Sequence, residues 1–202
     1  MKPSRWLVAA IVPALLVLSA CAKDDRGARP SACAETSAAP VVDVALLAFL
    51  SKARALHHEA DVAEAENDPG RAIAALDRIL TTPVAKPTPP EADEVLADTL
   101  ARLAELRAAR GDFDLAVKDV TRGLEHAGAP TYFRGHLYEV LGLVEEKRAA
   151  ALTKAGDAPG AKEARKRALD ASESAVKIQD EVIKRALEKQ PAAGPAPSGK
   201  TP

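Results

Sequence analysis

The chain contains two cysteines, Cys21 and Cys33, whose thiols are its most reactive side chains. A thiol can act as a nucleophile, pair in a disulfide or carry a covalent group. Cys21 lies at a boundary in the stretch LVLSACAKDD, because an apolar run ends just before it and a block of charged residues follows. The Cys21 thiol therefore lies at the junction between an apolar N-terminal segment and a polar chain.

Residues 1–20 have the three parts of a secretory signal peptide. Lys2 and Arg5 make the start positive, and twelve residues from Leu7 to Leu18 form an apolar core. Ser19 and Ala20 supply the small side chains that a signal peptidase needs. A transmembrane helix requires about 20 apolar residues, and this run is shorter. We therefore predict a signal peptide that ends before Cys21.

The four residues Leu18-Ser19-Ala20-Cys21 resemble the lipobox of bacterial lipoproteins. In that family the cysteine thiol receives a diacylglycerol, the chain is cut before the cysteine, and the new amino terminus is acylated, with palmitate among the expected acyl groups. The resemblance implies that Cys21 is the lipid attachment site. Two or three acyl chains make release from a membrane slow. The alternative is an ordinary cleaved signal followed by an incidental cysteine.

The residue after the cysteine bears on which membrane holds the protein. Aspartate at this position resembles the inner-membrane retention signal of enteric bacteria, whereas this chain has Ala22. The lipoprotein resemblance therefore implies a location in the cell envelope, lipid-anchored in the outer membrane and facing the periplasm.

Two segments of low complexity are expected to flank one helical domain. Residues 21–40 are predicted to be the lipidated N-terminus and a flexible spacer, and residues 191–202 a disordered tail rich in proline and alanine. Residues 41–190 form the predicted helical domain. Cys33 lies in the spacer, where a lone thiol in an oxidising compartment can pair with another chain. A Cys21–Cys33 bridge would contradict lipidation of Cys21.

Composition narrows the functional classes. Lysine and arginine number 28 against 29 aspartates and glutamates, so no single-sign field marks a nucleic-acid-binding protein. Export makes nucleic-acid binding less favoured still. The aromatic residues after the signal are few, and alanine and leucine must fill the core, which favours closely packed helices. Those aromatic residues are Phe49, Phe113, Tyr132, Phe133 and Tyr138.

Apolar residues recur at intervals of three and four along the predicted domain, which is typical of amphipathic helices. The clearest sets are Leu96, Leu100, Leu103 and Leu106; Phe113, Ala116, Val117, Val120 and Leu124; and Phe133, Leu137, Val140, Leu141 and Val144. We predict an all-α fold without a convincing strand. The six predicted helices lie near 41–66, 69–81, 89–110, 113–127, 131–155 and 158–189.

Two helix starts carry recognisable capping signals. Asp68 is followed by Pro69, a cap with proline at the first helical position. The stretch TPPE from Thr88 has the form of a capping box with the same proline device. We predict helices that begin directly after Asp68 and Thr88.

The signals that end the helices repeat along the chain. NDPGRA begins at Asn67, GDFDLA at Gly111 and GDAPGA at Gly156, at spacings of 44 and 45 residues. An alanine stands five positions later in each, at Ala72, Ala116 and Ala161. A period of this size with two helices per unit indicates an array of about three helical hairpins.

The middle unit resembles the tetratricopeptide (TPR) repeat family. The matching residues are Leu103, Ala104, Gly111, Asp112, Phe113 and Ala116. Leu100 replaces a common tryptophan and Arg107 a common tyrosine, and the period exceeds the 34 residues of that family. The resemblance, which covers roughly residues 50–175, implies a TPR-like α-solenoid. A plain antiparallel helical bundle is the alternative.

Catalytic and metal-binding signals are sparse. His57 and Asp61, in HHEAD, share a helical face, but a zinc motif needs histidines at i and i+4 and a further ligand. His126 and His136 are each near a predicted helix end, and no phosphate loop or serine nucleophile elbow occurs. We expect no catalytic residues, no metal and no cofactor, and therefore no enzyme.

The basic cluster Lys162–Arg167, KEARKR, is a solvated face or a contact for anionic lipid.

These features favour a lipid-anchored envelope adaptor that binds another protein or a peptide through its helical hairpins. The residues that would bind the partner are not identified by the sequence, nor is the oligomeric state. The first alternative is a structural lipoprotein that self-associates through its last helix, where Leu169, Val176 and Ile183 recur at seven, although Ser172 and Gln179 occupy the alternate core positions. A less favoured alternative is an envelope hydrolase, which would require a deep pocket lined by acids or histidines.

Overall fold

The computed structural model describes residues 43–128 and 130–189, which form six helices. They are α1 (Val44–Ala65), α2 (Pro69–Leu80), α3 (Pro90–Ala109), α4 (Phe113–His126), α5 (Tyr132–Lys154) and α6 (Ala158–Lys189). No strand occurs among these residues, which confirms the all-α prediction for them. The predictions for the signal peptide, Cys21, the spacer with Cys33 and the C-terminal tail lie outside the described residues.

Each predicted helix begins and ends within three residues of an observed one, because local capping residues determine the ends. Asp43 caps α1 by accepting hydrogen bonds from the backbone N–H groups of Ala45 and Leu46. Asp68 caps α2 as predicted, by accepting from the Arg71 N–H at 2.9 Å. The capping box at Thr88 is wrong. Pro89 is the N-cap residue of α3, with no side-chain cap hydrogen bond.

The three predicted turns share one backbone geometry. Asn67, Gly111 and Gly156 have φ values of 58°, 86° and 83°, in the left-handed region. The aspartate after each donates its backbone N–H to a carbonyl five residues earlier, at 2.8–2.9 Å. This pair of features is the Schellman motif, which satisfies carbonyl groups at a helix end. The turns therefore close α1, α3 and α5 in the same way, at intervals of 44 and 45 residues.

The six helices pack as three consecutive hairpins, α1–α2, α3–α4 and α5–α6. The first helix of each hairpin also lies against the hairpin before it. Thus α3 contacts both α1 and α2, and α5 contacts both α3 and α4. Within the described residues, α2, α4 and α6 do not contact one another. The first helices therefore lie next to one another in one layer, and each second helix packs against that layer.

Small residues allow the helices to approach closely. Ala72, Ala116 and Ala161, the three alanines that recur after the turns, are all buried. Ala116 belongs to the same buried cluster as Ala104 of α3. Gly123 of α4 is also buried, and its lack of a side chain accommodates a leucine of α5. The interior is therefore built largely from alanine and leucine, as the composition predicts.

A partly buried charge cluster joins the second, third and fourth helices. Arg107 of α3 pairs with Asp77 of α2 at 3.1 Å and with Asp119 of α4. Asp119 is buried, and burial raises the pKa of its carboxyl group, while the charge of Arg107 opposes that rise. The arginine that departs from the TPR pattern therefore supplies the cation for a buried carboxylate.

Candidate functional site

The layer of first helices presents a groove, which we call the inner groove. It has a volume of about 520 Å³ and lies between α1 and α3, with its end at α5. Its apolar lining comes from Leu50 and Ala53 of α1, Val95 of α3 and Phe133 of α5. These residues come from three separate hairpins, so the groove exists only because the hairpins stack side by side.

The charged residues of the inner groove are predominantly acidic. Glu91, Glu94 and Asp98 line its α3 side, and Arg54 is the basic residue on the α1 side. Among the described residues none of the three carboxylates takes part in an ion pair. The groove thus combines an apolar floor with three carboxylates that are not engaged in ion pairs.

His57 lines the inner groove and joins α1 to α3. Its Nε2 atom lies 3.1 Å from Thr99 Oγ1, and Thr99 donates its only hydroxyl proton to the Val95 carbonyl at 2.7 Å. Nε2 therefore carries the ring proton and donates to Thr99. Nδ1 is left as an acceptor, 3.4 Å from the Arg102 guanidinium. Burial lowers the pKa of His57, and Asp98 acts in the opposite direction.

A second, more polar concavity continues from the inner groove and shares Asp98 with it. Arg102, Glu105 and Lys147 contribute charges to its lining, and its volume is about 410 Å³. Arg102 pairs with Asp61 at 2.6 Å and with Glu64. The surface of the first helices therefore changes from apolar and acidic at one end to mixed charge at the other.

The two residues considered for a metal site have other partners. Asp61 is engaged by Arg102, and both ring nitrogens of His57 lie near hydrogen-bonding groups. Across residues 43–128 and 130–189 no group of three or more His, Cys, Asp or Glu side chains is arranged to hold a metal ion. His57 and Asp61 instead help to hold α1 against α3.

His126, His136 and the basic cluster do not line the inner groove. His126 Nδ1 lies 2.8 Å from Asp93 Oδ1, which links α4 to α3. His136 lines the polar concavity and stacks on Tyr132 with 6.0 Å between ring centroids. In KEARKR, Arg167 is paired with the buried Glu145 at 2.8 Å, whereas Lys162, Arg165 and Lys166 are exposed.

Sequence reasoning did not identify the inner groove or the two buried acids, Asp119 and Glu145. Asp119 lies three residues after Ala116, within the apolar stripe of α4, and this spacing was the available signal. Glu145 directly follows the buried Val144. The groove had no local signal, because its residues come from α1, α3 and α5.

No protein-family model, curated protein or solved structure matches this chain. None of the helices in the described part of the chain combines the length and apolar character needed to cross a membrane.

Proposed function

We propose that this protein is a lipid-anchored adaptor of the bacterial cell envelope that binds another protein or a peptide through TPR-like helical hairpins. The observation that carries the proposal is the inner groove. A groove with an apolar floor and a few polar groups is the usual form of a binding site. Its three carboxylates without ion pairs favour a partner segment that is both apolar and basic.

The helix packing supports a TPR-like α-solenoid over a plain bundle. Each first helix lies against the hairpin before it, and the Schellman turns recur every 44 or 45 residues. In repeat proteins of this kind each unit contacts only its neighbours, and the stack forms an extended binding surface. The inner groove lies on such a surface, between the first helices of neighbouring hairpins.

The proposed membrane attachment is through lipid on Cys21, with the chain in the outer membrane and facing the periplasm. It is supported by the apolar core from Leu7 to Leu18 and by the lipobox that ends at Cys21. Labelled fatty acid should enter the wild-type protein and the Cys33→Ser variant, but not the Cys21→Ser variant. Labelling that persists without Cys21, or that requires Cys33, would contradict the anchor.

The binding chemistry can be tested with peptides of defined charge. We expect a labelled helical peptide of leucine and lysine to bind the full chain, and the same peptide with glutamate in place of lysine to bind at least about tenfold more weakly. The double variant Glu91→Lys/Glu94→Lys should lose the preference for lysine. Arg71→Glu, which changes an exposed charge outside the groove, serves as the control.

The partner in the envelope can be sought at the same surface. A photoreactive amino acid at Leu47, which is half exposed and lies on the groove-facing side of α1 by its spacing from Leu50 and Arg54, should give a defined adduct in cells. Leu115 of α4 is equally exposed and lies outside the groove, so the same reagent there is the control. Adducts that are equal at both positions would contradict the proposal.

A further inference from the structure

The opposite end of the array exposes a line of large apolar side chains, which we call the end face. It consists of Leu143 on α5 and Leu169, Val176, Ile183 and Leu187 on α6, each between 47% and 63% exposed. The four α6 residues are spaced by seven, seven and four, so they lie on one side of that helix. The end face therefore extends along the last hairpin, with polar residues such as Ser172 and Gln179 between its apolar side chains.

The packing inside the molecule indicates what fits the end face. The hairpin α1–α2 is covered by α3, and the hairpin α3–α4 is covered by α5. Within the described residues no element covers α5–α6 in the same way. A groove of about 500 Å³ remains there, and its lining includes Gly142 and Ala175 together with the acidic Glu139, Glu146 and Asp180. The two equivalent surfaces each receive a helix, so a helix is the shape that this surface accepts.

The face of α1 that no other described helix covers is a poor occupant of the end face. Lys52 stands 44 residues before Leu96 and 89 before Leu141, so it holds the position that those two leucines hold in α3 and α5. Leu96 is buried and Leu141 is half-buried against the preceding hairpin, whereas Lys52 is exposed. Docking α1 of a second copy on the end face would bury a lysine, which is costly. A head-to-tail extension of the array is therefore disfavoured.

The pattern on α6 is instead complementary to itself. We propose that two copies of this chain dimerise through the end face, with their α6 helices antiparallel and crossing at Val176. In this register Leu169 lies opposite Ile183 of the second copy, and Ser172 lies opposite Asp180 of the second copy. The helix that covers an earlier hairpin, α3 on α1–α2, runs antiparallel to the second helix of that hairpin, and the antiparallel pair keeps this arrangement.

The size of the end face is adequate for a dimer. Five large apolar side chains, each about half exposed, present on the order of 500 Å² of apolar surface per copy. Two copies then bury about 1,000 Å² of apolar surface, together with the polar residues at its edges, and specific interfaces bury about 1,200–2,000 Å² in total. This surface is separate from the inner groove, so the dimer does not depend on the proposed adaptor function and leaves that groove open.

Cysteine crosslinking of the full chain in intact cells tests the register directly, in a Cys33→Ser background. Val176→Cys should give an intermolecular disulfide on mild oxidation, because its two copies meet on the symmetry axis. Leu169→Cys and Ile183→Cys should crosslink when the two variants are expressed together, and several-fold less when each is expressed alone. Asp170→Cys, on another side of α6, and the background chain without an added cysteine are the controls.

The size of the purified full chain in mild detergent gives a second readout. The wild-type chain should sediment as a dimer, Ile183→Glu as a monomer, and Leu115→Glu as a dimer. Both replaced side chains are at least half exposed, so the helical circular dichroism should be unchanged. A monomeric wild-type chain or a Val176→Cys disulfide no stronger than that of Asp170→Cys would overturn the proposal. Crosslinking of Leu169→Cys or Ile183→Cys alone that is as strong as that of the two variants expressed together would also overturn it.

Discussion

Gly123 of α4 and Leu137 of α5 are packed so closely that a Cβ atom on Gly123 would lie 2.6 Å from Leu137 Cδ2. Leu137 is fully buried, so its side chain has little room to move. The contact holds α5 against the preceding hairpin and therefore supports the stacking that creates the inner groove.

Gly123→Ala should destabilise the protein despite the better helix propensity of alanine. Overpacking costs about 1–3 kcal/mol, whereas replacing a mid-helix glycine by alanine contributes about 0.5–1 kcal/mol in the other direction. Urea unfolding of the variant measures the net change. In a Leu137→Ala background the same replacement should become neutral or stabilising, and an equal cost in both backgrounds would contradict the contact.

Gly111→Val should lower the free energy of unfolding by about 1 kcal/mol or more, because a β-branched residue disfavours a positive φ. A Cβ atom there would meet nothing within 4 Å, so the expected cost is conformational and not steric. Gly111→Asn is the matched control, since Asn67 occupies the equivalent position of the first turn with a φ of 58°. Asparagine should cost clearly less than valine, and equal costs would refute this explanation.

Ala116→Leu should cost roughly 1–3 kcal/mol, because it adds volume to a fully buried site beside α3. Ala55→Leu makes the same chemical change at an exposed position of α1. Thermal unfolding of the two variants separates the packing effect from the change in composition. A variant at position 116 as stable as the wild type would mean that α4 does not cross α3 as described.

Arg107→Met should cost about 3–5 kcal/mol near neutral pH, because it leaves the buried Asp119 without its principal cation. Burial already raises the pKa of Asp119, and loss of Arg107 removes the opposing charge, so acidification should reduce the deficit. Arg71→Met removes an exposed ion pair with Glu66 and should cost at most about 1 kcal/mol. Denaturant titrations of both variants at neutral and acidic pH provide the measurement.

His57 should make stability depend on pH below neutrality. Its pKa is lowered in the folded chain by burial, so the unfolded chain takes up the proton first as the pH falls. The stability that this site contributes above an unfolded pKa of about 6.5 is therefore lost as the pH falls through the folded pKa. His57→Gln retains a donor for Thr99 and should weaken this dependence, which urea unfolding of both chains at several pH values measures.

The order and ends of the helices could be predicted because their signals are local. Asp68 with Pro69, and the glycines at 111 and 156, act on backbone groups a few residues away. The predicted cap at Thr88 is wrong. Pro90, the second proline of TPPE, is the first helical residue, and Pro89 is therefore the N-cap. The local pattern therefore predicted helix α3 correctly but not its N-cap residue.

The inner groove and the end face could not be predicted from the same signals. The inner groove unites Leu50, Val95 and Phe133, which meet only after the hairpins stack. The apolar repeat of Leu169, Val176 and Ile183 was visible in the sequence, but its exposure follows from how α6 packs on α5. Which side of an amphipathic helix is buried is decided by tertiary packing.

The last turns of α6 extend past the helix that supports it. Gly135, near the start of α5, lies against Gln179, and α6 continues to Lys189. The amide protons of these final turns should exchange with solvent faster than those near Ala168, because residues 183–189 are exposed whereas Ala168 is buried. The amide exchange rates of Ile183 and Leu187, measured at several protein concentrations, therefore report whether another molecule covers that end.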